Sequence, residues 1–436
     1  MKKITVFSIV LLIAIICVAG VMAENVDAID ATEVALVSDG LKIIAERNAM
    51  AISGLTGRDL AFEAEDFERA LNIRRVDYIT LTEIPDASLG TLYLGSAPLS
   101  KGQTVSRENL HKLSYVEKSQ GITSNSFSFT TGNGYEIECS VYMLDKENYC
   151  PVALGSEMFS PTSTYRNVSV YGQLRGGDPD GDSITFEVIS YPENGSIVLI
   201  DTKNGEFCYT PASDYVGEDS FEYVVYDKYG NYSASAKVEL DVNKTTIKSI
   251  LSDMGGNRAH SAAISMIEKG IMSADEAEGK LVFAPNATVT REDFLVMAMK
   301  TAGIEVSDTV ATGFADDSNI SAMAKSYVAA AKEKGYISGT LSDGEFYFHP
   351  KNTITAAEAA VIVNNIINGS QYIEKDMAIT TVFADHLDIP AWAEEAILTL
   401  NYVGVWSSTN GYIYPQSEMT KEDTALVLAC VMNINK

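Results

Sequence analysis

The apolar positions of this chain change their period once. Between residues 77 and 242 they alternate along short segments, the pattern of half-buried strands. Beyond residue 260 they recur at helical spacing. Asp77 to Thr82, Thr91 to Leu94, Leu113 to Val116, Ser126 to Phe129 and Tyr135 to Met143 make a first set of strands. Phe62 to Asn72 fits a strand pair or a short helix. Ser183 to Val188, Ser196 to Leu199, Glu206 to Tyr209, Ser220 to Tyr226 and Ala234 to Val242 make a second set. Short strands at regular intervals, with turns between them, predict a β-sandwich over 41–150 and another over 155–244. The two look related. Ile79-Thr80 matches Ile184-Thr185, and Gly90 matches Gly195, both at a shift of 105. Phe127 matches Phe221 at a shift of 94, so the first copy has the longer middle loop.

The helical part carries a phrase three times: Thr290-Arg291-Glu292-Asp293, Thr355-Ala356-Ala357-Glu358 and Thr420-Lys421-Glu422-Asp423. The spacing is 65 residues both times, with Pro285, Pro350 and Pro415 at the same step before it. A fixed period of this length means an array of one supersecondary unit. Thr followed three residues later by Asp or Glu, ahead of an apolar run, is a capping box. Thr290 with Asp293, Thr355 with Glu358 and Thr420 with Asp423 therefore start helices. Upstream, 262–270, 327–335 and 393–404 read as helices that end at a glycine. Each unit is helix, loop, helix.

The units open on Ser252-Asp253, Phe314-Ala315-Asp316 and Phe383-Ala384-Asp385. With Ala391-Trp392-Ala393-Glu394-Glu395-Ala396-Ile397, Lys269-Gly270-Ile271, the prolines and Thr-Arg-x-Asp, they resemble the S-layer homology repeat. The copies span 245–307, 308–372 and 373–436. The resemblance implies a three-lobed helical prism that holds secreted proteins to an anionic, often pyruvylated, secondary cell-wall polysaccharide. It implies a cation at the mouth of each groove, one step past the threonine, and an aromatic residue beside it. Here the cations are Arg291 and Lys421, and Ala356 stands in the second repeat. Lysine lacks the planar fork of arginine, so its site is expected to be the weaker. Trp392 is the aromatic, either packed at a helix start or bordering the groove. S-layer or other surface proteins are further partners the resemblance allows.

In the second β set, Gly177-Asp178-Pro179-Asp180-Gly181-Asp182, Tyr209-Thr210-Pro211 and Tyr215-Val216-Gly217-Glu218-Asp219-Ser220-Phe221 resemble bacterial cadherin-like, immunoglobulin-like repeats. The first copy lacks the Asp-rich turn. The expected fold is multidomain: two all-β Ig/cadherin-like sandwiches, then an all-α array of three repeats. A polar hinge, Asn243 to Thr246, marks where the two parts are expected to separate.

Asp178, Asp180 and Asp182 alternate as calcium ligands do, with Asp219 or Asp227 available to complete the oxygens. The alternative is a polar turn closed by its own Asx bonds. No EF-hand fits, since Ser183 and Ile189 stand where that loop needs Gly and Glu. Met1-Lys2-Lys3, an apolar run to Val21 and Val21-Met22-Ala23 read as a signal peptide over 1–23. Residues 24–40 are expected to form a polar, flexible lead-in, and no later stretch is expected to meet a membrane. The balance of 32 basic against 59 acidic residues, with no basic stripe, excludes a nucleic-acid footprint. Cys139, Cys150, Cys208 and Cys430 form no disulfide framework; a Cys139–Cys150 pair and isolated thiols are both open. The four histidines share no context, and no nucleophile or phosphate-loop motif is present, so no catalysis is expected. The rival readings are an adhesin whose sandwiches bind a protein or glycan, and a wall hydrolase with two facing carboxylates.

Overall fold

The computed structural model describes residues 37–38, 41–42, 49–118, 121, 123–132, 134–155, 162–247, 251–306, 308, 311–372, 383–406, 408 and 411–434. The signal-peptide reading of 1–23 lies outside these residues, as does most of the lead-in.

The first β unit has a five-stranded and a four-stranded sheet around one core. The larger sheet runs Ala49–Leu55, Glu136–Leu144, Thr123–Thr130, Tyr78–Glu83, Thr104–Ser106. The smaller runs Leu60–Ala61, Leu113–Glu117, Gly90–Leu94, Ala97–Pro98. Phe62, Phe67, Phe127 and Phe129 pack together between them. Phe67 comes from a helix, α1 (Ala64–Ala70), which settles the open reading of 62–72. Its Asp66 carboxylate accepts from the Glu63 N–H, which closes a capping box at the start of the helix.

The second unit repeats this plan with fewer strands. One sheet runs Ser163–Tyr165, Ala236–Asn243, Gly217–Asp227, Ile184–Ser190; the other runs Val170–Gln173, Glu206–Pro211, Gly195–Asp201. In both units the first strand of the larger sheet lies parallel to the last. The longer middle loop of the first unit holds Ala97–Pro98, Thr104–Ser106 and a 3-10 turn, Arg107–Lys112. Cys139 is buried on its strand and Cys150 is exposed; both are free thiols, so the paired reading fails.

The helical array comprises α2 (His260–Glu268), α3 (Arg291–Thr301), α4 (Ala322–Glu333), α5 (Ala356–Ile367), α6 (Glu394–Val403) and α7 (Lys421–Ile434). It is not purely helical: Asp275–Ala277 with Lys280–Val282, and Thr340–Ser342 with Glu345–Tyr347, form small hairpins. Helices pair across repeats, α3 with α4, α5 with α6, and α7 back with α2. The capping phrases meet at the centre. Val289 donates to the Met419 carbonyl, Met419 to Ile354 and Ile354 to Val289, at 2.9, 2.9 and 3.1 Å. This closed ring gives the array its threefold character.

Contacts also cross the expected hinge. Thr245 and Thr246 hydroxyls donate to Glu268 at 2.9 Å, and Tyr165 donates to the same carboxylate at 2.9 Å. Val168 of the second β unit is buried in the helical core. The change of period at 243–260 is real, but it does not mark a free joint.

Candidate functional site

Each groove of the array is built in the same way. A threonine caps the helix that opens it: Asp293 N–H donates to Thr290 Oγ1 at 3.2 Å, Glu358 N–H to Thr355 Oγ1 at 3.3 Å, and Asp423 N–H to Thr420 Oγ1 at 3.1 Å. The acids of Thr355 and Thr420 reach back to the cap N–H, at 3.1 and 3.0 Å. Opposite, a residue before proline takes positive φ: Ala284 at 57°, His349 at 58° and Tyr414 at 52°. That conformation is costly for a residue with a Cβ. A carboxylate from each unit opening holds it. Asp253 accepts from Phe283 and Ala284 N–H, Asp316 from Phe348 and His349, and Asp385 from Ile413 and Tyr414.

On this common frame the contents differ. Lys421 stands 4.5 Å over the Phe283 ring and donates to the Ser273 carbonyl at 3.0 Å. Met323, Asp293 and Lys300 line the same groove. Burial holds the Lys421 ammonium below its ordinary range, against the opposing pull of Asp275 and Asp253. Among the described residues no carboxylate lies within 4.0 Å of it. Arg291 stands 5.5 Å over Phe348, with Nη1 3.1 Å from Glu358 Oε1. Its side chain is only 14% exposed, so it lies inside the groove rather than at the mouth, as the sequence reading had it. Its Nε and Nη1 align with no acceptor among the described residues. Burial lowers its pKa and Glu358 opposes the shift. Arg291 thus has a carboxylate within ion-pair distance, whereas Asp275 and Asp253 act on Lys421 from further off. At the third groove Ala356 is buried, and Ile413 takes the place of the aromatic ring. Trp392 is 61% exposed, so core packing does not account for it.

The Asp-rich turn lies at the junction of the two β units. The ligand oxygens of Asp178, Asp180 and Asp182 lie within 4.8 Å of one another. Asp178 Oδ1 accepts from the Asp180 and Asp182 N–H groups at 2.8 and 3.1 Å, which is the Asx turn. Its Oδ2 is buried without a hydrogen-bond partner among the described residues. Burial pushes the Asp178 carboxyl up, and Asp182 and Asp227 add to that against the two N–H bonds. Asp180 accepts from the Tyr149 N–H at 2.7 Å, and Lys228 Nζ lies 3.3 Å from Asp182. Asp227 is buried close by, taking Asn148 Nδ2 at 2.6 Å and the Tyr229 and Asn231 N–H groups.

Asp219 is elsewhere, which corrects its assignment as a calcium ligand. It accepts from Glu193, Asn194 and Ser220 N–H groups and from the Tyr209 hydroxyl at 2.8 Å. Every lone pair it has is committed to bracing a loop. The first unit has the same corner: Asn125 receives the Asp86 and Ser126 N–H groups and donates to Tyr115 at 3.0 Å. Gly90 and Gly195 are glycine because a Cβ there would overlap the Tyr115 and Tyr209 rings. The 94-residue shift that pairs Phe127 with Phe221 also pairs Asn125 with Asp219, so the sequence held this signal.

Two family profiles match parts of this chain. The profile of the bacterial cadherin-like domain matches residues 148–244, and that of the S-layer homology domain matches 313–360. An exoglucanase of Acetivibrio thermocellus, XynX, is 37% identical over 99 residues, which is 22% of this chain and 9% of that protein. An amylopullulanase of Thermoanaerobacterium thermosulfurigenes is 29% identical over 136 residues, 30% of this chain and 7% of the relative. The chain thus spans a small fraction of the relatives it matches. Among solved structures, the fibronectin(III)-like modules of Clostridium thermocellum CbhA align over 46% of this chain and 93% of theirs, at 13% identity and a TM-score of 0.22. Among the described residues no helix is long and apolar enough to cross a membrane. The chain carries a bacterial cadherin-like domain and, after it, an S-layer homology domain, which associates it with the cell surface.

Proposed function

We propose that this is a secreted surface protein held non-covalently to an anionic, pyruvylated secondary wall polysaccharide by the Lys421 and Arg291 grooves. Trp392 offers the sugar an exposed apolar face, and the β units act as spacer or interaction module. The observation that carries the reading is the half-buried cation stacked on an aromatic ring at two of three helix N-termini. A lysine whose charge burial disfavours, with no carboxylate within 4.0 Å among the described residues, gains from an anionic ligand. The reading takes Met1–Ala23 as a secretory leader and includes no catalytic step. The experiment is co-sedimentation of the protein with wall sacculi, with and without their secondary polymer. Binding that survives removal of the polymer, or no binding at all, sinks it.

We also propose that the Asp-rich turn takes a calcium ion, held by Asp178, Asp180 and Asp182 with Asp227 near. The buried, unpartnered Oδ2 of Asp178 is what supports this. Chelation should lower the melting temperature of the protein, and Asp180→Ala should remove the difference. A melting temperature indifferent to millimolar-range calcium leaves only the Asx turn.

A further inference from the structure

The second β unit sits on the Ala356 groove. The cavity there has a volume of about 170 Å³, and its walls come from both parts. Ala356, Trp406 and Tyr414 belong to the array, and Tyr171, Gln173 and Glu206 to the β unit. Three polar contacts hold the seat beside it. Arg258 Nη2 lies 3.5 Å from Glu206 Oε1, the Ser261 hydroxyl donates to the Ser163 carbonyl at 3.2 Å, and Tyr165 donates to Glu268.

The fourth contact is the deepest. Arg175 reaches from the β unit to the end of α6, where it donates to the Asn401 carbonyl at 2.9 Å and to that of Tyr402. These are carbonyls of the last helical turn, which carry its negative end, and that of Asn401 also accepts from the Gly404 N–H at 3.1 Å. Tyr223 fixes the Arg175 backbone by donating to its carbonyl at 2.7 Å. Gly404 ends the helix at φ 82°, and a Cβ there would overlap the Arg175 guanidinium. The sequence on both sides therefore suits close approach.

We propose that the Ala356 groove is not a ligand groove but the docking seat for the chain's own cadherin-like unit, which leaves the array with two open grooves. The loss of the cation at Ala356 and of the ring at Ile413 then has a cause. The seat is walled by Tyr171, Gln173 and Glu206 of the β unit, so a cation at 356 would be shut off from an anionic ligand. Docking also makes the β unit and the array one body, so the orientation of the β units follows that of the anchored array. The inference goes beyond polymer binding and is tested without polymer.

Hydrogen exchange is measured on the full chain at residues 171–173 and 401–406, in the parent and in Arg175→Glu, Gly404→Asn and Ala356→Arg. Asn tolerates the left-handed conformation at 404 and adds a side chain against Arg175. Docking predicts slow exchange at both segments in the parent. It predicts a rise of tenfold or more at both in Arg175→Glu and Gly404→Asn. Ala356→Arg should release 171–173 as well, because it forces a charge under the seat. Exchange at 184–190 and 217–227 reports whether the β unit stays folded in Arg175→Glu; if it does not, Gly404→Asn decides. Parent-like exchange at 171–173 in both Gly404→Asn and Ala356→Arg overturns the proposal.

Discussion

The Lys421 groove and the Ala356 groove share a frame and differ in what they hold. Both have a threonine-capped helix, a pre-proline residue at positive φ and an aspartate that clamps it. One adds a cation over a ring. The other adds alanine over isoleucine, and a neighbouring unit covers it. The frame is therefore separable from the ligand chemistry. Bonds that close the array must be kept in every repeat, whereas a groove side chain is free to change once its surface is spoken for.

The largest expected effect removes the charge from the open grooves. The Lys421→Ala, Arg291→Ala double variant should lose tenfold or more in sacculus binding. Lys421→Ala alone should lose more than Arg291→Ala, because Glu358 already neutralises the arginine. Equal binding by the double variant and the parent would falsify the groove mechanism.

The next effect tests the shared frame. Asp316→Ala and Asp385→Ala each strand two backbone donors beside a strained residue. Each should cost about 3 kcal/mol in denaturant unfolding. If the covered groove tolerates Asp385→Ala while the open one does not tolerate Asp316→Ala, the two frames are not equivalent.

A smaller effect separates the cations by pH. The protonated lysine is the binding form, and burial lowers its pKa, so the Lys421 groove should lose its charge as pH rises through a value below that of free lysine. Polymer binding should then weaken on the alkaline side, and Lys421→Arg should abolish that dependence. A pH profile unchanged by Lys421→Arg removes Lys421 from the site.

The smallest effect carries the comparison to the β units. If the Asp219 corner is a copy of the Asn125 corner, Asp219→Asn should cost under about 1 kcal/mol, and Asp219→Ala about 2 kcal/mol. Equal costs would mean that the charge, rather than the bracing geometry, matters there.

What the sequence made legible was local or periodic. The capping phrases announce themselves because Thr and an acid three residues on act within one turn, and the 65-residue period repeats them. The paired strands of the β units were legible from alternation. The helix at 64–70 was not, because Phe62 and Phe67 suit either period until Asp66 caps the turn. The partners of each helix were hidden as well, since pairing across repeats is a tertiary choice that leaves no mark on any one repeat. Arg175 is a lone arginine on a short strand, and nothing around it in sequence points to a helix end more than two hundred residues away. Asp219 was misplaced because an acid near an Asp-rich turn invites an ion, although its counterpart Asn125 carries no charge to offer one.

The pairing of α2 with α7 sets the order in which this array can be made. Residues 260–268 emerge from the ribosome long before 421–434, so α2 must hold an apolar face unpartnered while two further repeats are synthesised. The ring through Val289, Ile354 and Met419 likewise cannot close until the third phrase arrives. Closure across such a separation is slow and leaves sticky intermediates. The array therefore cannot lock until its third repeat has been made, and its first helix waits longest for its partner.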